Sequence, residues 1–286
     1  MAFFLKTKSE AEDTEEKEEV QTTENAENVM PVENSEGSEE LPNEPVKTLD
    51  AEMRQEFEAF KAQKFLKKTE YFVSEQKLQS GELKQSVNAA KTYGFGGVAV
   101  FPIGIASAVR IMGKADAGNV TGIVSYPYGE DMPKVKLYAA KRALSAGAGG
   151  VLCYLSSFWI RQGDYRLLKK DVTKICSKLK KRGRVRFVVD IASISTAEKE
   201  KTFRQFKGTE AEVVLKNGGE TVALSDITLF TELSGKAKVD VMGDYRADES
   251  LKAFEAGADH VITPLAVEAA NEYAVRFGVD FSAKKF

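Results

Sequence analysis

The feature of this sequence that most constrains its fold is a regular alternation of strand-like and helix-like segments from Thr69 onward. There are eight short runs of β-branched and aromatic residues, and a stretch with helical spacing of apolar residues follows each one. Because each helix returns the chain to the same end of the sheet, the strands are predicted to be parallel. The runs begin near Glu70, Gly97, Thr121, Gly150, Arg186, Ala211, Ala237 and His260.

Eight strand–helix units in about 215 residues close most naturally into a (β/α)8 barrel, the TIM barrel, for which this length is near the lower end. An open, doubly wound sheet is the alternative fold. It usually has a Gly-rich nucleotide-binding fingerprint after its first strand, and the sequence shows none. We therefore predict an α/β protein with a barrel over residues 51–286, closed off by an N-terminal helix over residues 51–66 that Asp50 caps.

The charge is divided unevenly along the chain. Residues 1–50 contain 15 acidic residues and four Lys, a net charge of −11, whereas the remaining residues carry a net charge of +9. Few large apolar residues stand in the first segment, so we predict a disordered acidic tail over residues 1–50. The basic residues of the body are scattered and form no stripe interleaved with aromatic residues, which argues against nucleic acid as a partner.

Composition excludes several classes of protein. No apolar run approaches the roughly 18 residues of a membrane helix, and Ala2–Leu5 is too short for the core of a signal peptide. Cys153 and Cys176 show neither a disulfide framework nor metal-binding spacing, and His260 is the single histidine. We predict a cytoplasmic protein that holds no metal and does not enter a membrane.

The strongest candidate for chemistry follows the sixth strand. In a (β/α)8 barrel the functional groups stand at the C-terminal ends of the strands, and here Ala211–Leu215 leads into Lys216–Gly219. If Val213 and Leu215 pack on the helices, alternation points Lys216 into the mouth of the barrel. A lysine held between apolar walls has a lowered pKa and can attack a carbonyl to form a Schiff base. Spacing alone favours the alternative, a lysine that extends into solvent from a strand end.

Several segments occur in an order and at a spacing typical of one known family. They are Tyr93–Pro102, Tyr126–Gly129, Gln162–Tyr165, Asp190–Thr196 and Arg246–Asp259. On these segments, the chain from Thr69 to about Tyr273 resembles the deoxyribose-phosphate aldolase family of class I, Schiff-base aldolases. The resemblance implies a barrel aldolase that needs no cofactor and forms a homodimer.

The resemblance also implies roles for individual positions. Lys216 falls in register with the family's Schiff-base lysine, which reverses the preference that spacing alone gives. The family's proton relay uses an Asp on strand four and a second Lys on strand seven, and these positions fall on Leu152 and Asp240. Leucine cannot transfer a proton, and an aspartate beside Lys216 favours the ammonium form. Lys238, two residues before Asp240 on the same face, is a candidate replacement for the second lysine.

The phosphate-binding positions of the family are altered in the same way. Members present backbone N–H groups to the substrate phosphate after strands seven and eight. Here Asp244 brings a negative charge to the first of these loops, and Pro264 removes a donor from the second. Gly218–Gly219 after strand six can form a small anion nest or, as glycine pairs more commonly do, a tight turn.

These observations predict a divergent aldehyde-lyase that acts through a Lys216 Schiff base on a small carbonyl or sugar-phosphate substrate, with Asp190 or Asp240 as the base. The replaced positions argue against the standard cleavage of 2-deoxyribose 5-phosphate. The alternative is a non-catalytic barrel that serves as a binding or scaffold protein, with the acidic tail as a regulatory arm. The predicted substrate-binding residues are Arg186 as an anion contact, Asn217, Gly218, Gly219, Gly243 and Asp244.

Overall fold

A computed structural model of the chain describes residues 46–79, 81–192, 194–209 and 211–281, with residues 46–50 and Glu52 described for their backbone alone. The strands are β1 Thr69–Phe72, β2 Gly97–Val100, β3 Val120–Val124, β4 Gly150–Tyr154, β5 Arg184–Asp190, β6 Glu212–Lys216, β7 Val239–Met242 and β8 Val261–Thr263. The helices are α1 Val46–Lys68, α2 Glu75–Gln79, α3 Leu83–Tyr93, α4 Ile105–Met112, α5 Pro133–Ser145, α6 Ser157–Gln162, α7 Tyr165–Leu179, α8 Thr196–Arg204, α9 Leu224–Ser234, α10 Ala247–Glu255 and α11 Ala266–Phe277.

The eight strands form a closed, all-parallel barrel in sequence order, in which β8 pairs with β1. The predicted (β/α)8 barrel is therefore confirmed, and the doubly wound sheet is excluded because its strand order is not sequential. The register sets Asp190 of β5 opposite Lys216 of β6, and Lys216 opposite Met242 of β7. These side chains stand at the C-terminal ends of their strands, where barrel enzymes place their chemistry.

The N-terminal helix is longer than the sequence predicted. Helix α1 begins at Val46 rather than Ala51, so Asp50 lies inside the helix and does not cap it. The rest of the predicted acidic tail, residues 1–45, lies outside the described residues. None of the described helices has the length and apolar character that a membrane span requires.

Alternation along the strands divides the core into two apolar layers. Val213 and Leu215 of β6 belong to the large cluster between the strands and the helices. Val214, between them, belongs to a smaller cluster inside the barrel that includes Leu152 and Ile262. Burying a side chain of this size contributes about 1.5–3 kcal/mol. Since the pattern continues to the strand end, Lys216 points inward, as predicted.

Candidate active site

A cavity of about 720 Å³ opens at the C-terminal ends of the strands. Its lining comes from the ends of β1, β5, β6 and β7 and from the loops that follow β3 and β8. Six of the predicted site residues line it, namely Asp190, Lys216, Gly218, Gly219, Gly243 and Asp244. The other three, Arg186, Asn217 and Asp240, do not.

Lys216 and Asp190 form the central charged pair of this cavity. The Lys216 Nζ atom lies 2.7 Å from Oδ2 of Asp190, and the two side chains are 14% and 19% exposed. Asp190 is held in place, because its Oδ1 atom accepts hydrogen bonds from the backbone N–H groups of Ala192 at 3.1 Å and Gly218 at 3.2 Å. A primary amine therefore faces the cavity with a fixed carboxylate in contact.

The two glycines after β6 have a structural role at this point. Gly218 adopts a positive φ of 60°, a conformation that favours glycine, and this directs its N–H group to Asp190. The N–H group of Gly218 is therefore already bonded within the protein. Asn217 contacts its own loop, since its side-chain nitrogen donates to the Thr221 carbonyl at 3.1 Å. The predicted role of Asn217 in substrate binding has no support in this geometry.

The backbone donors that the family resemblance assigned to phosphate are also engaged. The N–H group of Asp244 donates to the Gly219 carbonyl at 2.9 Å. The N–H groups of Tyr245 and Leu265 both donate to the hydroxyl of Thr263, at 3.1 Å. Gly243 permits this close packing, because a Cβ atom there would lie 2.3 Å from the carbonyl oxygen of Glu220. The loops thus bond to each other where a phosphate would need free donors.

Arg186 and Asp240 belong to a separate cluster in the N-terminal half of the barrel, and their predicted roles as anion contact and base need correction. In register, Asp240 faces Val214, one inward position below Lys216, while Met242 stands opposite Lys216. The side chains of Arg186 and Asp240 are almost completely buried. We call this cluster the interior network; it consists of Glu70, Arg184, Arg186, Glu212, Asp240 and His260.

Within the interior network, every carboxylate has a cationic partner. Arg186 binds Glu70 at 2.6 Å and Asp240 at 3.1 Å, and Arg184 binds Glu212 at 2.5 Å. Burial acts to raise the pKa of Asp240, but the hydrogen bond with His260 and the charge of Arg186 outweigh it and hold that pKa below its usual value. A carboxylate bound this tightly inside the barrel is not available as a base for the cavity.

The relay positions of the family are apolar or occupied in this chain. Leu152, at the strand-four position, is fully buried in the apolar cluster inside the barrel. Lys238 is exposed and immediately precedes β7, at the opposite end of the barrel from Lys216. The candidate replacement Lys238 is therefore not close to Lys216 in this structure, because its side chain starts at the N-terminal end of the strand.

Sequence reasoning assigned no role to an aromatic wall on one side of the cavity. Phe72, Tyr126 and Tyr128 line it, and the Tyr126 ring packs edge-on against Phe101 with 5.1 Å between centroids. Burial raises the pKa of the Tyr126 hydroxyl, and the negative charge of Glu75 raises it further. The available signal was the aromatic residues at the ends of the first and third strands.

Arg161 and Glu75 were also missed as lining residues. Arg161 is positioned by helix α6, whose first turn is fixed by Glu130, which accepts hydrogen bonds from the hydroxyls of Ser156 and Ser157 at 2.8 and 2.9 Å. Burial acts to raise the pKa of Glu130, but the N–H group of Phe158 and the two hydroxyls lower it below its usual value. In the part of the chain that is described, no group of three or more His, Cys, Asp and Glu residues is placed to hold a metal ion.

Comparison with known proteins finds aldolases among the relatives of similar sequence and among the solved structures of similar fold. The chain is 27% identical over 201 residues to a deoxyribose-phosphate aldolase from Thermoanaerobacter sp. (strain X514), covering 67% of this chain and 89% of that one. Among solved structures it is similar to QR15, an aldolase, with a TM-score of 0.67 and 20% identity over 74% of this chain and 96% of the other. No family model matches the chain.

A second solved structure extends the comparison of the fold. It is a deoxyribose phosphate aldolase from Aeropyrum pernix with a unique tetrameric structure, and it has a TM-score of 0.64 and 14% identity over 77% of this chain and 95% of the other. At these identities, the structural similarity establishes the barrel fold alone. Taken with the sequence relatives, it confirms that this chain resembles the deoxyribose-phosphate aldolase family.

Proposed function

We propose that this chain catalyses a class I aldolase reaction, in which Lys216 forms a Schiff base with a small carbonyl compound. The observation that supports this most strongly is the position of Lys216 at the mouth of the barrel, where its side chain lines the cavity and its Nζ atom lies 2.7 Å from the Asp190 carboxylate. The amine stands at the end of the sixth strand, where the resemblance assigns the Schiff-base lysine of the family. It faces a cavity large enough for a small sugar or aldehyde.

In this proposal Asp190 carries the protons. An ammonium group cannot attack a carbonyl, so the Asp190 carboxylate first accepts a proton from Lys216. The free amine then attacks the carbonyl carbon to give a carbinolamine. Asp190 returns the proton to the departing hydroxyl, which leaves as water, and an iminium remains. For cleavage, the same carboxylate accepts the proton of the β-hydroxyl while the carbon–carbon bond breaks and its electron pair moves to the iminium.

The proposed substrate does not depend on a phosphate group. The backbone N–H groups that resemblance assigns to phosphate are bonded within the protein, and Asp244 adds a negative charge beside them. Cleavage of 2-deoxyribose 5-phosphate would therefore lack these backbone contacts to the phosphate, with the Arg161 side chain left as a cationic group in the lining. We propose an unphosphorylated aldehyde or ketone as the better substrate.

The test is borohydride trapping read by intact mass, with acetaldehyde, glyceraldehyde 3-phosphate and deoxyribose 5-phosphate as probes. A stable adduct is expected with acetaldehyde, and it should be absent in Lys216→Met. Lys238→Met is the matched control, because that lysine is exposed at the other end of the barrel and should leave the adduct unchanged. No adduct with any of the three compounds would overturn the proposal.

A second candidate function, a non-catalytic binding protein, is favoured by one observation. Both relay positions of the family are lost, since Leu152 is buried in an apolar cluster and Asp240 is bound in the interior network. In that case the ion pair between Lys216 and Asp190 would be a fixed structural contact, and no carbonyl compound would be trapped. The trapping experiment separates the two candidates directly.

A further inference from the structure

Some of the charged side chains that line the active-site cavity have a hydrogen-bond or ion-pair partner within the described chain, and others do not. Lys216 is bound to Asp190, and Arg161 donates from Nη2 to the Ser157 hydroxyl at 3.3 Å. Glu75 and Asp244 also line the cavity, and no ion pair or hydrogen bond joins either side chain to another residue of the described chain. The cavity therefore presents two unpartnered carboxylates to whatever enters it.

Aromatic side chains accompany these carboxylates. Phe72, Tyr126 and Tyr128 present their rings to the same cavity, and Glu75 is close enough to act on the Tyr126 hydroxyl. Ring faces carry partial negative charge and attract cations, as do carboxylates. The backbone N–H groups of Asp244, Tyr245 and Leu265 are engaged within the protein. Outside the Lys216–Asp190 pair, the described lining therefore has the Arg161 cation against the two carboxylates of Glu75 and Asp244.

We propose that the active-site cavity selects carbonyl compounds that carry a positively charged group, such as a substituted ammonium. The cation would lie between Glu75, Asp244 and the aromatic wall while the carbonyl carbon reaches Lys216. The carbonyl half of this assignment rests on the proposed Schiff-base function. The preference for a cation rests on the cavity alone, and it can be measured as binding without any reaction at Lys216.

The test compares two aldehydes of nearly identical shape, trimethylammonioacetaldehyde and its neutral isostere 3,3-dimethylbutanal. Under borohydride trapping of the full chain, the cationic aldehyde should reach half-maximal adduct at about tenfold lower concentration. In the double variant Glu75→Gln with Asp244→Asn this ratio should fall to about one. Glu232→Gln, which changes an exposed carboxylate of α9 outside the cavity, should preserve it. Equal trapping of the two aldehydes by the wild type, or a ratio that survives in the double variant, would overturn the assignment.

A binding measurement tests this inference separately from the proposed function. Choline, which has the cation but no carbonyl, is titrated calorimetrically into Lys216→Met and into that variant with Glu75→Gln and Asp244→Asn added. If no aldehyde is trapped, the Schiff-base function fails, yet choline binding that weakens in the combined variant still supports cation recognition. Absence of choline binding to Lys216→Met would overturn the inference on its own.

A second inference concerns the outward face of helix α1. Ala62, Phe65 and Leu66 of this helix are buried against the barrel. On the opposite face, Met53, Phe57 and Phe60 follow at intervals of four and three residues. They are 52%, 57% and 63% exposed. Helical spacing places these three side chains in one exposed apolar stripe.

The charges of the same helix indicate what covers the stripe. Residues 50–58 contain four acidic residues and one Arg, while residues 61–68 contain four Lys and no acidic residue. Two copies of α1 packed antiparallel would place the acidic half of each against the basic half of the other, with Phe57 of one near Phe60 of the second copy. A parallel pair would instead place like charges together.

The pattern points to a second copy of this chain as the partner of the stripe, in an antiparallel α1–α1 contact. Light scattering of the full chain after size exclusion should give a dimer, and Phe57→Glu with Phe60→Glu should give a monomer with a nearly unchanged melting temperature. Val275→Glu is the control, because Val275 of α11 is 86% exposed and outside the stripe. A monomeric wild type, or a dimer that survives the double substitution, would overturn this inference.

Discussion

The pair of Arg186 and Asp240 in the interior network and the pair of Lys216 and Asp190 at the mouth of the barrel both join a carboxylate to a cationic side chain, but they differ in exposure. In the network, the side chains of Arg186 and Asp240 are 2% and 1% exposed. At the mouth, Lys216 and Asp190 are several times more exposed and border an open cavity. The two pairs share strand β5, on which Arg186 lies four residues before Asp190, and Asp240 of β7 lies two residues below the level of Lys216 of β6.

This difference shows how depth within one barrel decides what an ion pair does. A charge that is fully removed from water depends on its partner, and losing one partner of such a pair costs about 3–5 kcal/mol. A partly exposed pair contributes about 1 kcal/mol or less, because water solvates each group when the other is lost. Deep pairs therefore hold the barrel together, whereas the pair at the mouth can separate and transfer a proton.

The largest expected effect of a single substitution is on the interior network. Asp240→Asn removes the charge that Arg186 and His260 contact and leaves a buried guanidinium with one carboxylate fewer. We expect the free energy of unfolding to fall by about 3 kcal/mol or more, measured by urea denaturation. A loss below about 1 kcal/mol would show that this buried pair contributes no more to stability than a surface pair. The proposed difference in stability contribution between the interior network and the pair at the mouth would then be wrong.

A smaller effect should appear when the pH is lowered. The pKa of Asp240 is lowered in the folded state, so its contribution to stability is fully present above the usual aspartate pKa of about 4 and is lost as the pH falls through the folded value. The difference in unfolding free energy between the wild type and Asp240→Asn should therefore narrow below about pH 4. Parallel stability curves from pH 7 to pH 3 would contradict this assignment.

Much of this architecture was predictable from sequence, and the errors have a common physical cause. Alternation correctly predicted that Lys216 faces the barrel interior, and Asp190 and Arg186 share one face of β5. Alternation does not determine how far along the barrel axis a side chain lies. Arg186 precedes Asp190 by four residues on β5, so it lies about 13 Å lower along the strand. The partners that hold Arg186 there, Glu70 among them, come from strands far away in the sequence.

The state of the loop donors was also beyond sequence reasoning. The substitutions Asp244 and Pro264 indicated a weakened phosphate site, but the hydrogen bond from the N–H group of Asp244 to the Gly219 carbonyl joins two loops. Contacts of this kind depend on how closely the loops approach, which neither composition nor periodicity encodes. The aromatic wall was overlooked for the same reason, since rings that are separate in sequence meet only once the barrel closes.

The smallest expected change in stability is at the mouth, and it carries the sharpest functional contrast. Asp190→Asn should lower the free energy of unfolding by less than about 1 kcal/mol. It should nevertheless slow adduct formation on Lys216 by about 100-fold, because the amine loses its proton acceptor.

The chain offers a closely matched control in the ion pair between Lys199 and Asp226. Its Nζ to Oδ2 distance is also 2.7 Å and its side chains are 18% and 15% exposed, but it joins α8 to α9 outside the cavity. Asp226→Asn should therefore match Asp190→Asn in urea denaturation and leave the trapping rate unchanged. Equal trapping rates in the two variants would mean that Asp190 only positions the loops after β5 and β6, through its bonds to Ala192 and Gly218. Another group would then take the proton from Lys216.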